Sequence, residues 1–196
     1  MADVQKLMEN LKKEGFETSC FETKTQALEY LCEKIKGCSV AFGGCQTAKE
    51  MNLYEHLEPN NKVIWHWMGD EQKDAAFSDV YITSANGVAE TGELVNIDGT
   101  GNRVASTMFG HKKVYYIIGV NKIEPDLHKA IWRARNIAAP LNARRLERKT
   151  PCTASEELKC FDCNSPDRIC RGMVIQMEKM KSCECEVVII NESLGM

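Results

Sequence analysis

No stretch of this sequence approaches the run of roughly 20 apolar residues that would span a bilayer. Met1 to Gly15 is charged throughout and has no apolar core of the kind a secretory signal needs. Both absences point to a cytoplasmic protein and exclude membrane partners. Base is not in excess either: Lys and Arg number 25 against 28 Asp and Glu, for a net charge of −3. No overall basic field is therefore available for nucleic acid. Internal repeats and low-complexity linkers are missing too. Cysteine is unevenly placed, with none between Cys45 and Cys152, four before that gap and six after it. Without a signal peptide, free thiols or metal ligands are expected rather than disulfides.

What is present suits a single globular unit. The chain has 196 residues, 43% hydrophobic and 27% charged, enough for a real core and unlike a disordered chain. Val4, Leu7, Met8 and Leu11 mark an amphipathic helix ended by Gly15. A short strand at 16–21 and a helix carrying Ala27, Leu28, Leu31 and Ile35 follow. The apolar run 39–42 then enters Gly43-Gly44. Further on, the pattern predicts a helix over 47–57, strands over 63–67 and 80–83 with a helix over 71–77 between them, and a hairpin about Thr91-Gly92. A helix over 102–109, a buried strand over 114–120, a helix with Pro125 at its first position, a break or kink at Pro140 and a strand over 187–190 complete the reading. Alternating strands and helices imply an α/β fold with a mainly parallel sheet covered on both faces.

Two constellations carry chemistry. Cys152, Cys160, Cys163 and Cys170, separated by seven, two and six residues, can enclose a soft metal, because a two-residue gap lets two thiolates reach one ion from a tight turn. Zinc and a [4Fe-4S] cluster fit this spacing equally, and free thiols in a surface loop are the plain alternative. Cys183 and Cys185 could substitute as ligands, although burial of one at a strand start is favoured. The second constellation is glycine-rich. Gly43, Gly44 and Thr47 at one strand-to-helix junction, and Asp98, Gly99, Gly101, Asn102 and Arg103 at another, could hold an anion. The alternative is two ordinary turns. Ser84 and Asn86, just past a strand, are further candidate contacts. Glu90 and Glu93 flank the hairpin turn as a candidate catalytic pair, with solvated hairpin charges as the alternative. His66 reads as an alternating strand residue and His111 as a surface one. Arg133, Arg135, Arg144, Arg145, Arg148 and Lys149 read as a solvated helix face, or as a receiver for an acidic partner or anionic cofactor.

Residues 80–105, VYITSANGVAETGELVNIDGTGNRVA, together with KVYYIIGVNKI at 113–123 and AFGGCQT at 41–47, resemble the LUD (lactate utilisation) family, which usually carries Ser where Cys45 stands. The resemblance spans nearly the whole chain. It implies a three-layer α/β/α sandwich like ribose-5-phosphate isomerase and the coenzyme-A transferases, some of which use a glutamate nucleophile. The tail PCTASEELKCFDCNSPDRIC at 151–170 is similar to a branch of LUD-like proteins with a four-cysteine C-terminal segment. Residues 1–149 are then expected to form the LUD-like domain, with residues 150–196 as a cysteine-rich segment plus final strand packed on it. The resemblance tilts the cofactor towards [4Fe-4S], with zinc as the alternative. The expected role is a metabolic enzyme or redox accessory protein binding a small carboxylate or phosphate metabolite, beside a redox protein partner. The rival role is a non-catalytic binding or assembly protein. Whether it forms a homo-oligomer is left open.

Overall fold

The computed structural model describes residues 2–196. In chain order the strands are β1 (Glu17–Phe21), β2 (Ser39–Phe42), β3 (Lys62–Trp65), β4 (Val80–Thr83), β5 (Gly87–Ala89), β6 (Leu94–Asp98), β7 (Lys113–Gly119), β8 (Ile123–Glu124), β9 (Gly172–Gln176) and β10 (Glu184–Ile190). The helices are α1 (Val4–Lys13), α2 (Lys24–Lys34), α3 (Gln46–Glu50), α4 (Leu53–Leu57), α5 (Asn102–Met108), α6 (Leu127–Arg133), α7 (Ala139–Arg145) and α8 (Pro151–Ala154). None is long and apolar enough to cross a membrane.

Six strands form a wholly parallel sheet in the order β1-β10-β7-β4-β2-β3. Alternation along β7 and β10 divides the core in two. Tyr115, Ile117, Val188 and Ile190 pack with Leu31, Leu53 and Leu57 of α2 and α4 on one face. Val114, Tyr116, Ile118, Val187 and Ile189 pack with Leu7 and Leu11 of α1 on the other. The result is the three-layer α/β/α arrangement. A second sheet, β8-β5-β6-β9, lies on the α1 side, sending Val88 and Leu94 into that layer and Ala89 and Val95 towards Ala130 and Ala134 of the following helical run.

Local signals explain the helix ends. The Asp3 carboxylate accepts from Lys6 N–H at α1, and Gly15, at φ 83°, turns the chain into β1. Thr23 and Gln26 form a capping box on α2. The helix expected over 47–57 is two short ones, because Asn52 adopts a left-handed conformation at φ 52°, which asparagine tolerates better than most residues. The strand expected through Trp67 ends at Trp65, with His66–Met68 in a 3-10 turn, and Gln72–Phe77 is 3-10 rather than α. Asp126, not the residue before Pro125, caps α6, so Pro125 lies outside that helix. At Pro140 the chain stays helical: Ala134–Ala138 widens into a π turn, and the proline sits in the first turn of α7. A wide turn is a known means of accommodating a missing N–H.

Candidate functional site

A cavity of about 380 Å³ opens at the carboxyl ends of the parallel strands. Its walls come from the loops after β2 (Gly44, Cys45), β3 (His66, Trp67), β4 (Ser84, Asn86) and β7 (Lys122), and from α7 with Asn142 and Arg145. Ligand sites of open α/β sheets form at this edge. Lys122, Arg103, Arg145 and Arg148 line it, against Asp98 as the one acidic side chain among the described lining residues.

At the floor, Lys122 is only 3% exposed. Its Nζ donates to Thr47 Oγ1 at 3.0 Å and to Ser84 Oγ at 2.9 Å, while Ser84 donates to the Ile117 carbonyl at 2.7 Å. Burial pushes its pKa down to about 8; the nearby Arg133 and Arg103 add to this, and Cys45 and Glu50 oppose it. Burial raises the Cys45 thiol, whose sulfur accepts the Ala48 N–H at the start of α3. At the mouth, the Arg145 guanidinium carbon lies 4.9 Å from the Trp67 ring centroid, and Asn142 Oδ1 accepts from both its Nε and an Nη. Burial, followed by Arg145, lowers the pKa of His66.

The two glycine loops behave differently from expectation. The Asp98 carboxylate takes the N–H groups of Thr100 and Gly101, so these donors already have an internal acceptor. Arg103 is spent on the structure: its guanidinium donates to Asn96 and Asn86 Oδ1 and to the carbonyls of Ile97 and Ser84, and pairs with Asp98 at 3.5 Å. Gly43 leaves room for this packing, since a Cβ there would lie 2.7 Å from Tyr81 Oη and 3.0 Å from Arg103 Cγ. Gly44, Ser84, Asn86, Asp98, Gly99, Asn102 and Arg103 line the cavity, whereas Gly43, Thr47 and Gly101 support it from behind.

Glu90 and Glu93 are not in the cavity wall. The Glu90 carboxylate accepts the Asp3 N–H at 2.8 Å and pairs with Lys6 at 3.1 Å, and Glu93 accepts from the Thr91 hydroxyl. The hairpin turn packs on α1, with Gly92 beside Asn10 and Glu14. The expectation that these glutamates reach over the sheet edge is corrected, and they leave the catalytic candidates. His111 is corrected too: it is 3% exposed, stacks 4.8 Å from Tyr81 and accepts or donates at Ser78. Only part of the basic run is a solvated face: Arg145, Arg148 and Lys149 are exposed, while the other three are engaged by the protein. Arg133 is buried on the carbonyls of Asn121 and Asn86, and Arg144 holds those of Cys152 and Ser155. Arg135 reaches Asp162 at 2.9 Å and Cys160 Sγ at 3.8 Å.

None of the ten cysteines is paired in a disulfide. Cys152, Cys160, Cys163 and Cys170 share one neighbourhood: the Cys170 thiol is pushed up by its burial and then by the other three. Among the described residues, however, no three His, Cys, Asp or Glu side chains are gathered closely enough to hold a metal ion. The donor set suits a soft metal; the sulfurs do not converge on one centre. Cys160 and Cys170 border a second cavity of about 290 Å³ with Arg135 and Arg168, and Ile97 is common to both cavities. Cys183 and Cys185 are both buried, their sulfurs 3.4 Å apart in the layer beneath α1.

The family model of the LUD domain matches residues 4–190. The chain belongs to the LUD domain family. No curated protein matches the sequence. Among solved structures, a DUF162 family protein from Deinococcus radiodurans is similar in fold, with a TM-score of 0.56 over 96% of each chain at 8% identity. The LUD match includes all four loops of the cavity and the whole cysteine segment.

Lys122, His66, Trp67 and Asn142 were not expected as site residues, and Arg145 only within a basic run read alternatively as a receiver for an anionic cofactor. The available signal was positional: His66, Trp67 and Lys122 each follow the end of a parallel strand, where ligands collect.

Proposed function

We propose that this LUD domain protein binds a small carboxylate- or phosphate-bearing metabolite in the cationic cavity, and that it works as an enzyme or redox accessory protein carrying an iron–sulfur cluster on Cys152, Cys160, Cys163 and Cys170. The observation that carries the reading is the imbalance of side-chain charge in the cavity wall, four cationic side chains against one acidic side chain that already pairs with Arg103. Arg145 and Arg148 would take the anionic group at the mouth, Asn142 keeps Arg145 in place, and Lys122 faces the ligand from the floor. Arg135 and Arg168 beside the thiols would offset the negative charge of a thiolate-bound group. A bound cluster supplies one-electron transfer or Lewis acidity. The wall shared at Ile97 would keep ligand and cluster neighbours.

A second reading keeps the same ligand pocket but makes the metal a structural zinc in a non-catalytic binding or assembly protein. It is favoured by the lack of any fully buried residue from Pro151 to Arg171, a stretch in which Phe161 is 42% exposed. Such a segment gains order from a metal more readily than from a core.

Anaerobic purification with metal analysis and absorbance separates the readings. A brown protein bleached by dithionite supports the cluster, and a colourless zinc protein the second reading. Thermal-shift titration with lactate, phosphosugars and coenzyme A tests the pocket. No shift with any anion would remove the metabolite proposal.

A further inference from the structure

We infer that Lys122 is a catalytic residue, a nucleophilic amine that forms an imine with a small carbonyl compound bearing an anionic group, a 2-oxo acid being the smallest such class. This deepens the anion-binding reading and rests on it.

The geometry is that of a nucleophile held ready. Lys122 belongs to the cavity wall, and its Nζ has two hydroxyl oxygens, Thr47 Oγ1 and Ser84 Oγ, as hydrogen-bond partners. No carboxylate lies within ion-pair distance of it among the described residues, which sets it apart from a buried lysine retained for charge neutralisation. Arg103, Arg133 and Lys122 are cations sharing one neighbourhood, facing Cys45 and Glu50. Such crowding and burial keep a large share of the amine neutral near pH 8. The backbone also closes over it: a Cβ on Gly195 would meet Thr47 Oγ1 at 2.5 Å and Lys122 Nζ at 3.0 Å, so glycine allows this close approach.

The balance of the step is simple. The neutral amine's lone pair forms a bond to the carbonyl carbon, and the carbonyl electron pair moves to oxygen. The two amine protons pass to that oxygen, the carbon–oxygen bond breaks and one water leaves, so no oxidant or reductant enters. Thr47 and Ser84, which accept from Nζ in the resting state, can take and return the protons in transit. Arg145 and Arg148 would hold the carboxylate.

Pyruvate is the probe, with acetone as the carbonyl control that lacks an anion. The full-length protein is incubated with each and sodium cyanoborohydride, then examined by intact mass and peptide mapping. With pyruvate, Lys122 should be alkylated faster than exposed lysines by on the order of 100-fold at neutral pH, following the difference in neutral amine. Acetone, which lacks the anchoring anion, should alkylate Lys122 more slowly than pyruvate does, and oxalate should protect Lys122 alone from pyruvate. Lys122→Arg should lose the adduct while keeping its circular dichroism; the oxalate arm needs no variant and stands if that protein misfolds. Labelling spread evenly over surface lysines, or unprotected by oxalate, overturns the inference. Thermal shifts with pyruvate and phosphate, without reductant, separate the two proposals. A shift without a Lys122 adduct removes the nucleophile alone, and no shift removes both.

Discussion

The guanidinium carbon of Arg145 lies 4.9 Å from the centre of the Trp67 ring, and Trp67 in turn stacks on Trp65 at 5.0 Å. Trp65 is buried and donates its indole N–H to the Gly43 carbonyl, so the pair is anchored in the sheet. Arg145→Ala should therefore weaken anion binding by ~10- to 100-fold, the loss of a charge-assisted contact of about 1.5–3 kcal/mol, while leaving the fold intact. Titration followed by tryptophan fluorescence checks both points. Unchanged affinity would place the anion elsewhere.

Gly99 touches the cysteine segment through backbone. A Cβ there would stand 2.8 Å from the Ile169 carbonyl oxygen, and a carbonyl cannot swing aside as a side chain can. Gly99→Ala should cost about 1–3 kcal/mol. For a chain of this size that is a fall in melting temperature of ~2–10 °C. Limited proteolysis should find new cuts near Ile169.

Lys122 couples stability to alkaline pH. Its folded pKa, about 8, lies below the ordinary value of 10.5. Between those values the unfolded chain holds more protons, so stability rises with pH across that window and is lowest, for this group, below it. Replacing Lys122 with Met should flatten the rise. Denaturant titrations at pH 7.5 and 9.5 measure it, and equal slopes in both proteins would contradict the assignment. Cys45, Glu50, Arg103 and Arg133 face the amine.

Cys163→Ser should release bound metal and expose residues 151–171 to protease while the parallel sheet stays folded. Its neighbourhood includes Cys152, Cys160 and Cys170, and no apolar residue of that stretch is fully buried to hold it otherwise. Metal content and the cleavage pattern together decide. A wild-type protein that never retains metal after anaerobic handling would leave four ordinary thiols.

Much of the architecture was readable because it is periodic. Leu7 and Leu11 recur on one helical face, and the run through Tyr116 and Ile118 could only be a covered strand. β9 escaped notice because residues 172–176 are short and take their order from pairing with β6, 74 to 82 positions away by register. The cysteines and glycine loops stand out by composition. The cavity does not, since Gly44, Trp67, Ser84 and Lys122 come from four separate loops and meet only once the strands are ordered. Lys122 reads as a loop lysine until Thr47 and Ser84 are brought to it. His111, beside two lysines, reads as exposed until it lies on Tyr81. Arg103 sits where a ligand clamp would, and only its five protein acceptors reveal another use.

The position of β10 sets a timetable for synthesis. It follows every other strand in the chain yet lies second in the main sheet, where it alone joins β1 to β7. Until residues 184–190 leave the ribosome, β1 has no partner and one edge of β7 stays unpaired. At translation speeds of roughly 5–20 residues per second, that interval lasts several seconds. The thiols at 152–170 emerge within it, before the sheet beside them is whole.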